Sequence, residues 1–185
     1  VIDAARAKRI KLVGLDVDGV LTDNGIIVAV DQGRRIESKR FHALDGVALH
    51  FLRMAGIEVA WVSGRTSEST TARAVELKVT EVIQDPGTGM KLPAVKELLA
   101  RKKLEFAELA FVGDDLADIP VLRRAGLPVA VANAVAEVKT LAAWVTPSRG
   151  GDGAVREFVE ALLRARGEWD RLLAQYLKER GDADD

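Results

Sequence analysis

The sequence predicts an α/β fold: a doubly wound (Rossmann-like) parallel sheet with helices on both faces and an inserted β-hairpin. Three observations point to it. Short β-branched apolar runs alternate with longer helical patterns along most of the chain. Most of those runs are apolar on consecutive residues, as strands covered on both faces are. Acidic, hydroxyl and basic side chains gather just beyond the runs, at the carboxyl ends where open α/β sheets bind their ligands. With 185 residues the chain suits one domain, 1–185.

Residues 1–11 carry Asp3, Arg6, Lys8 and Arg9 among small apolar residues, with no apolar run long enough for a signal peptide. A first strand is expected at 11–15. Residues 25–30 and 35–41 are both strand-like and flank the turn-forming Asp31-Gln32-Gly33, so 25–41 reads as a hairpin projecting from the sheet. Alternation then resumes, with helices at 44–55, 67–77, 92–103, 116–125, 135–141 and 153–166, and strands at 57–62, 79–83, 109–112, 128–131 and 144–146. Trp61 and Trp144 fall in strands and read as core. In the C-terminal part, 167–185, Trp169, Leu172, Leu173, Tyr176 and Leu177 recur at helical spacing and make one apolar stripe, for the domain itself or for a partner. The acidic end, 181–185, is expected to fray.

Composition excludes several classes of function. The chain is 48% hydrophobic and 30% charged, a globular balance rather than a disordered one. Its 27 basic residues nearly cancel its 28 acidic ones, so no net field draws it to nucleic acid or anionic lipid, and any anion site must be local. The absence of cysteine removes disulfides, thiolate nucleophiles and cysteine-bound zinc; it fits a reducing compartment, and the cytoplasm is the expected location. No apolar stretch approaches the roughly 20 residues of a membrane helix.

The strongest chemical signal is Asp16-Val17-Asp18-Gly19-Val20-Leu21-Thr22 at the end of the first strand. A spacing of two in extended chain puts Asp16 and Asp18 on one side, where they can share a ligand. Two such carboxylates repel unless a cation neutralises them, and oxygen ligands suit Mg²⁺. Beyond the next strand, Ser63-Gly64-Arg65 offers a hydroxyl, an approachable backbone and a guanidinium, all donors for phosphate oxygens. Lys91 follows the glycine-containing turn Gly87-Thr88-Gly89, and Gly113-Asp114-Asp115-Leu116-Ala117-Asp118 adds carboxylates that would complete a metal site. Each residue alone has a plainer reading as a helix cap or solvated charge. Four successive strand ends carrying acid, hydroxyl, base and acid do not.

In that order these residues resemble the four motifs of the haloacid dehalogenase-like superfamily of aspartyl-phosphate phosphotransferases, over about residues 11–157. The resemblance implies that Asp16 is the nucleophile and Asp18 the general acid and base. It implies that Asp16, the backbone carbonyl of Asp18, and Asp114 hold Mg²⁺, with Asp115 and Asp118 near the metal or its waters. Ser63, Gly64 and Lys91 would bind the phosphoryl group. An acid at position 18 suits poor leaving groups such as sugar alcohols, which must be protonated to depart, and so points to a phosphatase or mutase.

Members of this superfamily often carry a cap domain after the first or second motif. Here the interval from Asp18 to Ser63 holds only the hairpin and one helix, and that from Ser63 to Lys91 one helix and one strand, so no cap domain fits. Such an open site needs cover from a neighbour. The arrangement is similar to the subfamily that includes 3-deoxy-D-manno-octulosonate 8-phosphate phosphatase, which assembles as a homotetramer through its hairpins. The likeness extends to Phe41-x-x-x-Asp45-Gly46, to the segment from Gly126 to Ala134, and to Gly150-Gly151-x-Gly153-Ala154-Val155-Arg156-Glu157. It implies a phosphorylated sugar acid as substrate, with Arg65, Asp45, Gly46 and Arg156 binding it, and a place in lipopolysaccharide biosynthesis. Asn24, Asn133, Val47-Ala48 and Val135-Ala136 depart from the expected pattern and leave the sugar open between an octulosonate 8-phosphate and a nonulosonate 9-phosphate of the KDN or sialic acid type. A phospho-receiver or a catalytically idle binding subunit is the alternative of another class; neither would release phosphate steadily. Arg34, Arg35, Lys39 and Arg40 form a basic cluster on the hairpin, either drawing an anionic substrate or guarding an edge strand. His42 and His50 read as ordinary surface or core residues.

Overall fold

The computed structural model describes residues 1–85, 87 and 89–182. In chain order it contains α1 (Ala4–Arg9), β1 (Leu12–Asp16), a π-turn (Val17–Leu21), β2 (Ile27–Asp31), β3 (Arg34–Ser38), α2 (Ala43–Met54), β4 (Glu58–Ser63), α3 (Glu68–Glu76) and β5 (Glu81–Gln84). There follow α4 (Lys91–Lys102), β6 (Leu109–Gly113), α5 (Ile119–Leu122), β7 (Leu127–Ala130), α6 (Ala136–Leu141), β8 (Trp144–Val145), α7 (Ala154–Arg166) and α8 (Trp169–Lys178). Among the described residues, six strands form a sheet in the order β5-β4-β1-β6-β7-β8, every pairing parallel. The hairpin β2-β3 is a separate antiparallel pair.

Chain direction across the sheet reverses between β1 and β6. Right-handed crossovers therefore place α2 and α3 on one face and α4, α5 and α6 on the other. Helix α7 returns to pack on α2, flanked by α1 and α8. All five residues of β1 are buried, as the consecutive apolar pattern demands of a central strand. The reversal opens a crevice at the carboxyl ends of β1 and β6, and this is where Asp16 and Asp114 stand.

Most expected elements appear within a residue or two, and the departures have local causes. Helix α1 was not expected: six residues are too few to show a period, although Asp3 caps it by accepting from Arg6 N at 2.8 Å. The helix expected at 116–125 is a 3₁₀ turn, Leu116–Asp118, running into the single turn of α5, with Pro120 in its first turn. In the hairpin Asp31 pairs with Arg34, so the loop shrinks to Gln32-Gly33, both at positive φ (48° and 78°), which matches the twist of two-residue hairpins. Helix α8 packs most of its stripe on its own domain: Trp169 and Leu172 are buried, Leu173 and Tyr176 lie against the core, and Leu177 is exposed. Of the acidic end, Ala183, Asp184 and Asp185 lie outside the described residues, as does Thr88 of the turn before Lys91. No helix among the described residues is long and apolar enough to cross a membrane.

Candidate active site

Strand β1 delivers Asp16 to the crevice and then stops. The π-turn begins at once, with Val17 N donating to Asp16 Oδ1 at 2.6 Å, and the backbone is non-helical at Asp18 and Gly19. Gly19 sits at φ 95°, and a Cβ there would collide with the Asp114 carboxylate, so only glycine lets the turn lie against that acid. The turn is clamped from behind. Asn133 Nδ2 donates to Gly19 O at 2.9 Å, Gly150 N donates to Asn133 Oδ1 at 2.6 Å, and Gly151 N reaches Val20 O at 3.1 Å.

At the centre Lys91 Nζ stands 2.7 Å from Asp16 Oδ1 and 2.7 Å from Asp118 Oδ1. The other oxygen of Asp118 accepts from the backbone N–H of Asp114 (2.9 Å) and of Asp115 (3.2 Å), tying the loop after β6 into place. Asp16, Asp114 and Asp118 are all buried and present oxygens within 4.8 Å of one another. Burial, reinforced by the Asp118 charge, holds Asp16 well above the usual carboxylate value despite the opposing pull of Lys91. Burial likewise pushes Asp114 up to about 6. It works against the Lys91 ammonium too, but Asp16 and Asp118 outweigh it and hold Lys91 above the ordinary lysine value. Three carboxylates thus face one ammonium, and the buried Asp114 Oδ1 accepts no hydrogen bond among the described residues. An all-oxygen donor set short of positive charge, with an orphaned acceptor, fits a hard divalent cation.

Asp18 is not in this group. Because the strand ends at Asp16, the two-residue spacing does not bring both carboxylates to one point, and Asp18 Oδ1 faces Lys39 Nζ at 2.7 Å instead. Asp118, expected among the outer partners, stands in the carboxylate group itself. The basic cluster expected on the hairpin is divided. Arg35 pairs with Glu37 in its own strand (3.0 Å), Arg40 spans Asp23 and Asp152 (2.9 Å each), and Lys39 turns inward. Glu37 also takes Arg65 Nη2 at 3.1 Å, so hairpin and β4 loop meet beside Asp18. A cleft of about 470 Å³ lies between the hairpin and the start of α3, lined by Arg34, Glu37 and Ser67 and by none of the grouped carboxylates.

Comparison with known proteins agrees with this geometry. A haloacid dehalogenase-like hydrolase family model matches residues 86–158. The 3-deoxy-D-manno-octulosonate 8-phosphate phosphatase KdsC of Escherichia coli K12 is 40% identical over 171 residues, 92% of this chain and 88% of that protein. The chain belongs to this phosphatase family. Among solved structures, the Moraxella catarrhalis 3-deoxy-D-manno-octulosonate 8-phosphate phosphatase, in complex with magnesium ion, phosphate ion and KDO, superposes with a TM-score of 0.86 at 36% identity, covering 94% of this chain and 97% of that one. A probable YrbI family phosphatase from Pseudomonas syringae gives 0.85 at 40% identity, covering 94% and 96%.

In this phosphatase the remaining expected residues scatter. Ser63 is buried at the end of β4, its Oγ accepting from Arg65 N at 3.0 Å, and Gly64 lies against Gly89. Asp115 is exposed and caps the next turn by accepting from Leu116 N at 2.8 Å. Asp45 is buried in the first turn of α2, its Oδ1 accepting from Arg156 N in the first turn of α7 at 2.8 Å, and burial raises it to about 6. Gly46 lies against Leu77 and Arg73. The Arg156 guanidinium lies over the rings of Phe51 and Trp169, 5.5 and 5.3 Å from their centroids. Asp45, Gly46 and Arg156 thus stand with α2 and α7 rather than in the carboxylate group. Two participants escaped sequence reasoning. Asn133 appeared there only as a departure from the expected pattern, and Lys39 only as one charge among four on a hairpin.

Proposed function

We propose that this phosphatase is a Mg²⁺-dependent phosphomonoesterase that hydrolyses a phosphorylated sugar acid, 3-deoxy-D-manno-octulosonate 8-phosphate in the first place, through an aspartyl phosphate on Asp16. The observation that carries the reading is the buried trio of Asp16, Asp114 and Asp118 with Lys91 bridging two of them, in a chain 40% identical to KdsC. Asp16 and Asp114, with the backbone carbonyl of Asp18, would hold Mg²⁺, and Asp118 stands close enough to join them. When bound, the ion supplies charge neutralisation for the meeting of an anionic nucleophile and an anionic phosphate.

The chain's own residues do the rest. Val17 N–H and Lys91 both hold Asp16 Oδ1, which assigns Oδ2 as the attacking oxygen. As the bond from Oδ2 to phosphorus forms and the bond from phosphorus to the sugar oxygen breaks, Asp18 gives its proton to the departing oxygen. In the second half Asp18 takes a proton from water, whose oxygen attacks phosphorus; inorganic phosphate leaves and Asp16 is restored. Lys91, Ser63 and Gly64 bind phosphoryl oxygens. Arg65, held by Glu37 of the hairpin, would meet the carboxylate of the sugar acid.

No cap domain shields this crevice. We assign the cover to other copies of the chain, joined through the hairpin in a homotetramer: Ile27, Val28 and Val30 of β2 point their side chains to solvent, at 64%, 51% and 73% exposure. The cytoplasm is the assigned compartment and lipopolysaccharide biosynthesis the assigned pathway. Phosphate release with Mg²⁺ from octulosonate 8-phosphate, nonulosonate 9-phosphate and glucose 6-phosphate tests the substrate. The expected order is octulosonate first and hexose last; preference for the nonulosonate transfers the assignment to that sugar, and no release from any of them, with or without chelator, ends it.

A further inference from the structure

We propose that Lys39 positions the carboxyl group of Asp18 for proton transfer to the leaving oxygen, so that the hairpin supplies part of the reaction machinery within its own subunit. This rests on the reading of Asp18 as the acid and base group.

The placement of Lys39 is built from both sides. Strand pairing in the hairpin ends at Ser38, which lies opposite Ile27, and two residues beyond Lys39 the chain is caught again by the Phe41 bridge to Thr22. The intervening residues cannot wander. Ser69 Oγ donates to Glu37 O at 2.7 Å, fastening the same arm to α3. From this short span the Lys39 side chain reaches inward and is 0% exposed, although its backbone is partly open to solvent. Its ammonium lies 2.7 Å from Asp18 Oδ1, donates to Thr70 Oγ1 at 3.4 Å, and has Glu37 Oε1 at 3.9 Å.

The need for such a group follows from how Asp18 is held. Asp16 is fixed by a backbone donor and by Lys91. Asp18 follows on a non-helical turn, and its Oδ1 accepts no hydrogen bond among the described residues. The contact with Lys39 is close enough for an ion pair, yet its angles are not those of a hydrogen bond, so the hold is Coulombic while Asp18 is ionised and an ion–dipole attraction to its carbonyl oxygen once it carries a proton. A carboxylate that must first give and then take a proton has to stay within reach of the leaving oxygen, and a small misplacement carries a large loss of rate. Stability alone is a weak reason to keep such a pair, since shielded ion pairs gain little over apolar contacts of similar volume.

The leaving group separates this role from others, because an aryl oxide departs without a proton whereas an alkoxide needs one. Lys39→Met is compared with Asp18→Asn and with the double variant, each assayed with Mg²⁺ on glycerol 1-phosphate, octulosonate 8-phosphate and 4-nitrophenyl phosphate. Lys39→Met is expected to lower kcat on the two alkyl phosphates about 10²-fold and on the aryl phosphate at most about 3-fold, with KM little changed. The double variant is expected to be no slower than Asp18→Asn, since the two residues act as one unit. Lys39→Gln, also uncharged, replaces Lys39→Met if that protein does not fold, and Lys39→Arg is expected to recover part of the loss. Equal losses on alkyl and aryl phosphates would overturn the proposal. So would a loss confined to KM for the sugar acid, which would make Lys39 a substrate-binding residue. If Asp18→Asn shows no such split, the acid and base reading of Asp18 falls first and takes the proposal with it; a split for Asp18→Asn without one for Lys39→Met overturns the proposal alone.

Discussion

Strands β1 and β2 are built from the same kind of residue and meet opposite fates. Leu12, Val13 and Leu15 in β1 are fully buried between two layers of helices, whereas Ile27, Val28 and Val30 in β2 face water. Apolar content therefore does not say where a strand goes. What separates them is the length of chain on either side: β1 is followed by segments long enough for right-handed crossovers that cover both faces, while β2 and β3 are joined by two residues and have no helix between them to fold back over the pair. The first strand is finished by its own chain. The second is left open to solvent.

The largest effect that sharpens this contrast is expected at the tip of β1. Asp16→Asn should lower turnover about 10⁴-fold or more in a protein that still folds, because it removes the nucleophile and one negative charge from a group with too many. Phosphate release under saturating Mg²⁺ measures the first effect and circular dichroism the second; wild-type turnover would end the covalent mechanism.

Next come paired truncations. Leu15→Ala should cost about 2–5 kcal/mol in urea unfolding, through lost burial and the cavity left behind. Val28→Ala should stay within about 0.5 kcal/mol at concentrations low enough to separate subunits. Similar losses at both sites would show that β2 is covered within the monomer. Val30→Glu sets a charge on the exposed face and is expected to yield smaller assemblies by light scattering, with the far-ultraviolet spectrum unchanged. An unaltered mass would break the assignment of this face to subunit contact.

The smallest effect lies away from both strands. Asp45 rises from the usual carboxylate value near 4 to about 6 on folding, so its ionisation opposes the folded state. That penalty is complete above pH 6, shrinks as pH falls, and is gone below about pH 4. Asp45→Asn keeps an acceptor for Arg156 N, so at pH 7.5 it should stabilise the protein by up to about 2 kcal/mol, the gain disappearing near pH 4 in urea titrations. A gain that persists there would assign the effect to packing.

The sheet and the order of site residues were legible because both depend on local pattern. Consecutive apolar runs mark strands buried on two faces, and ligand-bearing residues follow strand ends. Helix α1 and the shortened α5 were not legible, since six and four residues carry too little period to read. Within the site, Lys91 and Asp118 could be named from the sequence, but their 2.7 Å contact could not. The pairing of Lys39 with Asp18 depends on how the hairpin re-enters the domain at Thr22 and Phe41, and no spacing in the sequence encodes that. Arg156 and Asp45 entered the sequence reading as substrate contacts only through the family resemblance, and their surroundings in the fold could not be read there. The fold places the Arg156 guanidinium over two aromatic rings and the Asp45 carboxyl on the backbone of Arg156.

The clamp on the nucleophile's turn has a consequence for how the molecule comes into being. Gly19 O receives Asn133, and a Cβ at Gly150 would strike that same carbonyl, so residues near the start of the chain are locked by residues more than a hundred positions later. A ribosome releases Asp16, Asp18, Lys39, Ser63, Lys91, Asp114 and Asp118 before either clamp residue has emerged. Through that interval every reacting group is present and the turn that aims two of them has nothing to close it. Alignment of the turn therefore waits on chain made late in synthesis, and a chain cut short before residue 133 has every reacting residue and neither clamp.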